Sequence, residues 1–119
     1  MRNILALSII INAITNFTFA QSKVFDNLTM NSEILDMERN YSVYLPPDYE
    51  TSSRSYPVLY LLHGLGDDHT GWVQFGEVKK IADNSILNGD ATPMIIIMPD
   101  ANTGYVGYIN IPSENWLYE

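Results

Sequence analysis

Residues Pro57–Trp72, PVLYLLHGLGDDHTGW, constrain the fold of this chain more than any other stretch. Val58–Leu62 is an unbroken apolar run, followed directly by a His-Gly-x-Gly sequence at His63–Gly66. Runs that are apolar at every position, rather than at every second one, belong to strands covered on both faces of a parallel sheet. Gly64 and Gly66 then permit a sharp reversal with unobstructed amides, because neither carries a Cβ. At the carboxyl end of a buried strand, such a turn can aim N–H groups at one point. That is the geometry that stabilises a developing oxyanion.

Met94–Met98 (MIIIM) is the second run of this kind. Between the two, Val78, Ile81, Ala82 and Ile86 recur at helical spacing, and Asn88-Gly89 supplies a C-terminal stop. Strand, glycine turn, helix and strand together predict a βαβ unit with a right-handed crossover. Ligands of such sheets bind at the carboxyl ends of the strands, where the His63–Trp72 loop and Pro99–Gly104 both fall. Upstream, Val24–Leu35 has mixed strand character and Asp36–Asn40 (DMERN) reads as a polar turn. Tyr41, Val43 and Leu45 then alternate with Ser42 and Tyr44, the period of a half-buried strand, so an antiparallel hairpin is expected at one edge of the sheet. Pro46-Pro47 ends that strand, and Asp48–Tyr56 reads as a surface loop.

The start of the chain carries an address. Met1 and Arg2 precede a mostly apolar stretch of about 11 residues, Ile4–Ile14, and Thr18-Phe19-Ala20 offers small residues where a signal peptidase inspects them. The apolar stretch is well short of the roughly 20 residues that span a bilayer. A signal peptide over 1–20 is expected, leaving 21–119 as an exported, periplasmic or extracellular part; the alternative is an N-terminal core helix or retained anchor. Removing Arg2 leaves five basic against 14 acidic side chains, a charge of −9. That balance repels phosphate backbones and anionic lipid, so neither nucleic acid nor a membrane surface is an expected partner once the signal is gone. Zero cysteines exclude disulfides, a thiolate nucleophile and Cys-based zinc sites.

Several side chains could carry chemistry. His63 and His69 are the two histidines in the chain, and both lie in the glycine-turn loop. Asp67, Asp68 and His69 could be hard-metal ligands, but adjacent carboxylates without spaced partners fit a solvated loop or helix cap better, and no metal is expected. Trp72 either flanks a substrate or packs beneath the loop. Asp100 and Asn102 follow the second buried strand and either line a site or satisfy turn backbone. Tyr105, Tyr108 and Trp116 either line an acyl or sugar site or pack the loop.

Four pieces, VYLPPDY (Val43–Tyr49), YPVLYLLHGLGDDHTGW (Tyr56–Trp72), PMIIIMPDAN (Pro93–Asn102) and NWLYE (Asn115–Glu119), resemble the esterase D-like branch of the α/β-hydrolases. That branch includes feruloyl and acetylxylan esterases, S-formylglutathione hydrolases and mycolyltransferases. The resemblance implies the N-terminal portion of an α/β-hydrolase fold: an antiparallel edge hairpin, then parallel strands with a crossover helix. It also implies a serine carboxylic-ester hydrolase that needs no cofactor and acts on a small-molecule or carbohydrate-linked ester. In that reading the Leu65 backbone N–H is the first oxyanion donor, and His63, Gly64 and Gly66 shape its loop. The other half of the machinery is not written in these residues. No serine has a glycine two positions before it, so the G-x-S-x-G elbow is missing, and both histidines precede any place a nucleophile could follow. The domain is therefore expected to be truncated before the elbow, with nucleophile, acid and base absent from this chain. The competing reading is a non-catalytic exported binding protein on a degenerate scaffold of the same fold.

Overall fold

The computed structural model describes residues 20–101, 108, 109 and 111–114. Residues 1–19 of the expected signal, Asn102, Tyr105 and Trp116 lie outside the described residues. Strands β1 (Lys23–Ser32), β2 (Met37–Leu45), β3 (Val58–Tyr60) and β4 (Ile95–Pro99) form one sheet in the order β1-β2-β4-β3. Helices α1 (Gly71–Gln74) and α2 (Val78–Leu87) connect β3 to β4. The β1–β2 and β2–β4 pairs are antiparallel, whereas β3 and β4 run parallel. The expected hairpin and βαβ unit are both present.

The hairpin turns earlier than its composition suggests. Residues 33–36 make the reversal, with Asp36 left-handed at φ 49°. Met37–Asn40, read as part of the turn, instead pair with Thr29–Ser32. A solvent-exposed two-stranded ribbon tolerates the charged and polar side chains of this segment, so polarity there did not mark a turn. One extra residue between Phe25 and Leu28 shifts the register as a β-bulge. Ser42, Val43 and Tyr44 are buried consecutively rather than alternately, in the part of β2 that pairs with both β1 and β4.

The core lies between one sheet face and α2. Tyr44, Ile96 and Met98 meet Val78, with Val24, Leu61, Val73, Ala82, Ile86 and Met94 packed around them. Each large apolar side chain so covered contributes about 1.5–3 kcal/mol. Val78, Ala82 and Ile86 recur at four-residue spacing and form the packed stripe, but Ile81 falls off it and is 58% exposed. The helix ends as expected: the Gly89 N–H donates to the Ile86 carbonyl at 3.2 Å, and Gly89 sits at φ 78°. The buried Tyr44 hydroxyl donates to Asp83 Oδ1 at 2.9 Å while Lys79 reaches Oδ2 at 2.7 Å, locking α2 onto β2. Burial, then the Asp83 carboxylate, pushes the Tyr44 phenol well above its ordinary range.

The expectation that Val58–Leu62 is covered on both faces does not hold in this sheet. Val58, Leu59 and Tyr60 are 48%, 43% and 67% exposed. In the order β1-β2-β4-β3, β3 has a neighbour on one side only among the described residues. On the face away from α2, a groove of about 370 Å³ runs between Met30, Tyr41, Tyr60 and Ile97. Among the described residues no helix is long and apolar enough to cross a membrane.

Candidate functional site

The carboxyl ends of β3 and β4 meet at His63. Its imidazole is 5% exposed, and Nε2 accepts the Ala101 N–H at 2.9 Å. An accepting Nε2 is unprotonated, so the proton of the neutral ring sits on Nδ1 and is donated to the Gly64 carbonyl at 2.8 Å. The ring therefore staples the segment after β4 to the start of the glycine turn, with both nitrogens occupied. Asp100 extends the staple. Its carboxylate lies 3.8 Å from His63 Nε2 and 3.8 Å from His69 Nδ1. Its carbonyl accepts a hydrogen bond from the Arg39 guanidinium, and its N–H donates to the Asn40 carbonyl at 3.0 Å.

The turn itself spans Gly64–Asp67. The Asp67 N–H donates to the Gly64 carbonyl at 3.2 Å, and Gly66, in the third position, sits at φ 78°. With Leu65 outside the left-handed region, this is a type II turn, which requires positive φ at that position. Gly66 is thus needed for conformation. Gly64 is not left-handed, and a Cβ there would meet no atom within 4 Å. Leu65 projects its side chain outward, 86% exposed, and no hydrogen bond engages its N–H among the described residues.

Beyond the turn the loop is held by its own polar groups. Asp67 Oδ1 accepts the Asp68 N–H at 2.9 Å, and the Asp67 carboxylate lies over Gly71, where a Cβ would collide with it. Asp68 Oδ1 accepts the Thr70 hydroxyl at 2.6 Å and the Thr70 N–H at 2.7 Å. Those two bonds, the hydroxyl first, hold the Asp68 carboxyl below the usual carboxylate range. Of the three residues weighed as metal ligands, Asp68 is bonded to Thr70, Asp67 lies over Gly71, and His69 Nδ1 stands 3.8 Å from the Asp100 carboxylate and 4.0 Å from Asp68 Oδ1. Trp72, on the short helix α1, donates its indole N–H to the Leu62 carbonyl at 2.9 Å and keeps 37% of its surface open.

This constellation sits in a chain whose residues 32–118 match the model of the Esterase family, described as "Putative esterase". The chain belongs to the Esterase family. It is 37% identical over 75 residues to an endo-1,4-beta-xylanase/feruloyl esterase of Xylanibacter ruminicola, covering 60% of this chain and 10% of that protein. It is 38% identical over 76 residues to Esterase Rv1288 of Mycobacterium tuberculosis, covering 64% of this chain and 15% of that one. A solved ferulic acid esterase superimposes with a TM-score of 0.75 at 38% identity, over 82% of this chain and 38% of that chain. The ferulic acid esterase of Anaeromyces mucronatus gives 0.59 at 30% identity, over 76% of this chain and 32% of that one. This chain therefore spans between a tenth and about two fifths of the length of these relatives. Its fold is part of the α/β-hydrolase fold, as these neighbours show.

Sequence reasoning singled out His63, Gly64, Leu65, Gly66, Trp72 and Asp100; the structure places the first four at the turn, bonds Trp72 to the Leu62 carbonyl, and sets the Asp100 carboxylate 3.8 Å from the His63 ring. It missed Arg39. An arginine in a polar stretch read as a turn gives no sign that it reaches a backbone carbonyl 61 residues later. Tyr108 was weighed as a lining or packing aromatic. Its ring does pack against His63 of the loop, and its hydroxyl also sits between the two strand ends.

Proposed function

We propose that these residues form the oxyanion-loop portion of an exported serine esterase, whose nucleophile, acid and base are supplied from outside the 119 residues. The observation that carries this reading is the Leu65 amide: unbonded among the described residues, on a residue that is 86% exposed, and set on a type II turn that His63 staples to the end of β4. A serine hydroxyl adding to an ester carbonyl puts negative charge on the carbonyl oxygen. A fixed N–H aimed at that oxygen stabilises the charge without reorganising, which is why one such donor is worth about 3–4 kcal/mol. Collapse of the adduct expels the alcohol and leaves an acyl-enzyme, which water then hydrolyses to the acid and free serine. His63 is committed at both ring nitrogens and serves to shape the loop, not to move protons.

The ester class follows from relatives named feruloyl and ferulic acid esterase: an aromatic or carbohydrate-linked carboxylic ester. Trp72, 37% exposed beside the turn, is the flank for that substrate. Asp100, 13% exposed and set between two histidines, supports the loop from beneath.

The complete protein should hydrolyse 4-nitrophenyl acetate and methyl ferulate and lose that activity on labelling by a fluorophosphonate. No turnover and no labelling, with ester or sugar binding retained, would replace this reading with that of a binding protein on the same scaffold.

A further inference from the structure

The β3–β4 ladder is interrupted where β3 becomes the glycine turn. Along a parallel pair the rungs are evenly spaced, and donors step by two residues on each strand. Ile95 N–H donates to Pro57 O at 3.0 Å, and Leu61 N–H donates to Ile97 O at 2.9 Å. The next two rungs would be Pro99 N to Leu61 O and His63 N to Pro99 O. The first cannot form, because proline has no N–H. The second is replaced by a side chain: His63 N–H donates to the Tyr108 hydroxyl at 3.1 Å, and that hydroxyl donates to Pro99 O at 3.0 Å. The Tyr108 ring also lies tilted against the His63 imidazole, centroids 5.1 Å apart.

From this we infer that Tyr108 is a positioning residue of the oxyanion turn, its hydroxyl acting as an inserted rung that sets how far β3 and β4 separate. One O–H has one hydrogen and two lone pairs, so it satisfies both strand ends at once and fixes the spacing between them. The spacing decides where His63 begins, and His63 carries Gly64, Leu65 and the proposed donor. Phenylalanine keeps the ring against His63 but leaves the His63 N–H and Pro99 O without their bridge, free to close on one another. Closure would swing the Leu65 amide away from the position an oxyanion occupies. This inference rests on the reading of Leu65 as an oxyanion donor.

The test is a double-mutant cycle in the complete esterase, with kcat and KM measured for 4-nitrophenyl acetate in the parent, Tyr108→Phe, Leu65→Pro and the double variant. Tyr108→Phe should lower kcat on the order of tenfold, since small misplacements of a reacting group carry costs of that size, with KM changed less than twofold. In the Leu65→Pro background, where the donor is already gone, the same change should have almost no further effect. An undiminished loss in that background, no loss in either, or a Tyr108→Phe protein that does not fold would each overturn the inference. If Leu65→Pro itself leaves kcat intact, the oxyanion reading fails first and the positioning role falls with it.

Discussion

The Nε2 atom of His63 accepts the backbone N–H of Ala101 at 2.9 Å, tying the loop after β3 to the segment after β4 through one ring. Ala101 is 1% exposed, so its N–H has no water to turn to if the ring is removed. His63→Ala should cost about 1–3 kcal/mol for the stranded amide, read as a lower midpoint of urea unfolding. His63→Gln, which places an acceptor at similar reach, should recover a large part of that loss. Equal stability of the two variants would show that the Ala101 bond is not what His63 supplies.

The two glycines of the turn should separate stability from activity. Gly66→Ala forces a Cβ into a left-handed conformation, which costs about 1–2 kcal/mol. Gly64→Ala meets neither strain nor neighbours, so the unfolding midpoint should stay within experimental error. Under the proposed function its methyl group stands beside the Leu65 amide and should lower kcat/KM in the complete esterase. A Gly64→Ala enzyme as active as its parent would mean that the open space at Gly64 is not used by substrate.

These assignments also mark what can be read from a sequence. Strand β4, helix α2 with its Gly89 stop, and the reversal at Gly66 were all legible, because apolar runs, four-residue spacing and positive φ each leave a local trace. The hairpin turn was displaced, since Met37–Asn40 is polar for being exposed on a ribbon and not for being a turn. Arg39 left no trace at all, and Tyr108 was legible only as an aromatic that could line or pack the loop, not as a bridge between strand ends. Their partners, Asp100, His63 and Pro99, are fixed by strand order, and spacing along the chain does not report that.

Acid should unfold the protein partly through two carboxylates. Asp68 is held below its ordinary range by the Thr70 hydroxyl and amide. For Asp83, burial raises the carboxyl, but the Lys79 and Tyr44 hydrogen bonds outweigh it and the net shift is downward. A carboxyl whose folded value lies below its unfolded one stabilises the native state above the unfolded value, about 3.9 for Asp. That contribution is lost as pH falls from there through the folded value. Asp68→Asn and Asp83→Asn should each flatten the loss of stability as pH falls below about 4, followed by urea unfolding at each pH. Parent-like slopes in both variants would remove these groups from the acid transition.

Among the described residues, Val58, Leu59 and Tyr60 lie exposed on a strand with one open edge. Exposed apolar edges pair with other chains, so this polypeptide in isolation should bind an amphiphilic dye and self-associate. Tyr60→Lys, placing a charge on that edge, should reduce association in sedimentation without shifting the unfolding transition. A monomeric parent chain that binds no dye would show the edge to be covered.

Leu65 occupies the second position of a type II turn, where proline is favoured, so Leu65→Pro deletes one N–H while leaving the reversal intact. In the complete esterase this substitution should lower kcat by about a hundredfold to a thousandfold with little change in KM. Leu65→Ala keeps the amide and loses only an exposed side chain, and should stay within a few-fold of the parent. Comparable losses from the two substitutions, or a Leu65→Pro enzyme with parental kcat, would contradict the assignment of the Leu65 amide as the oxyanion donor.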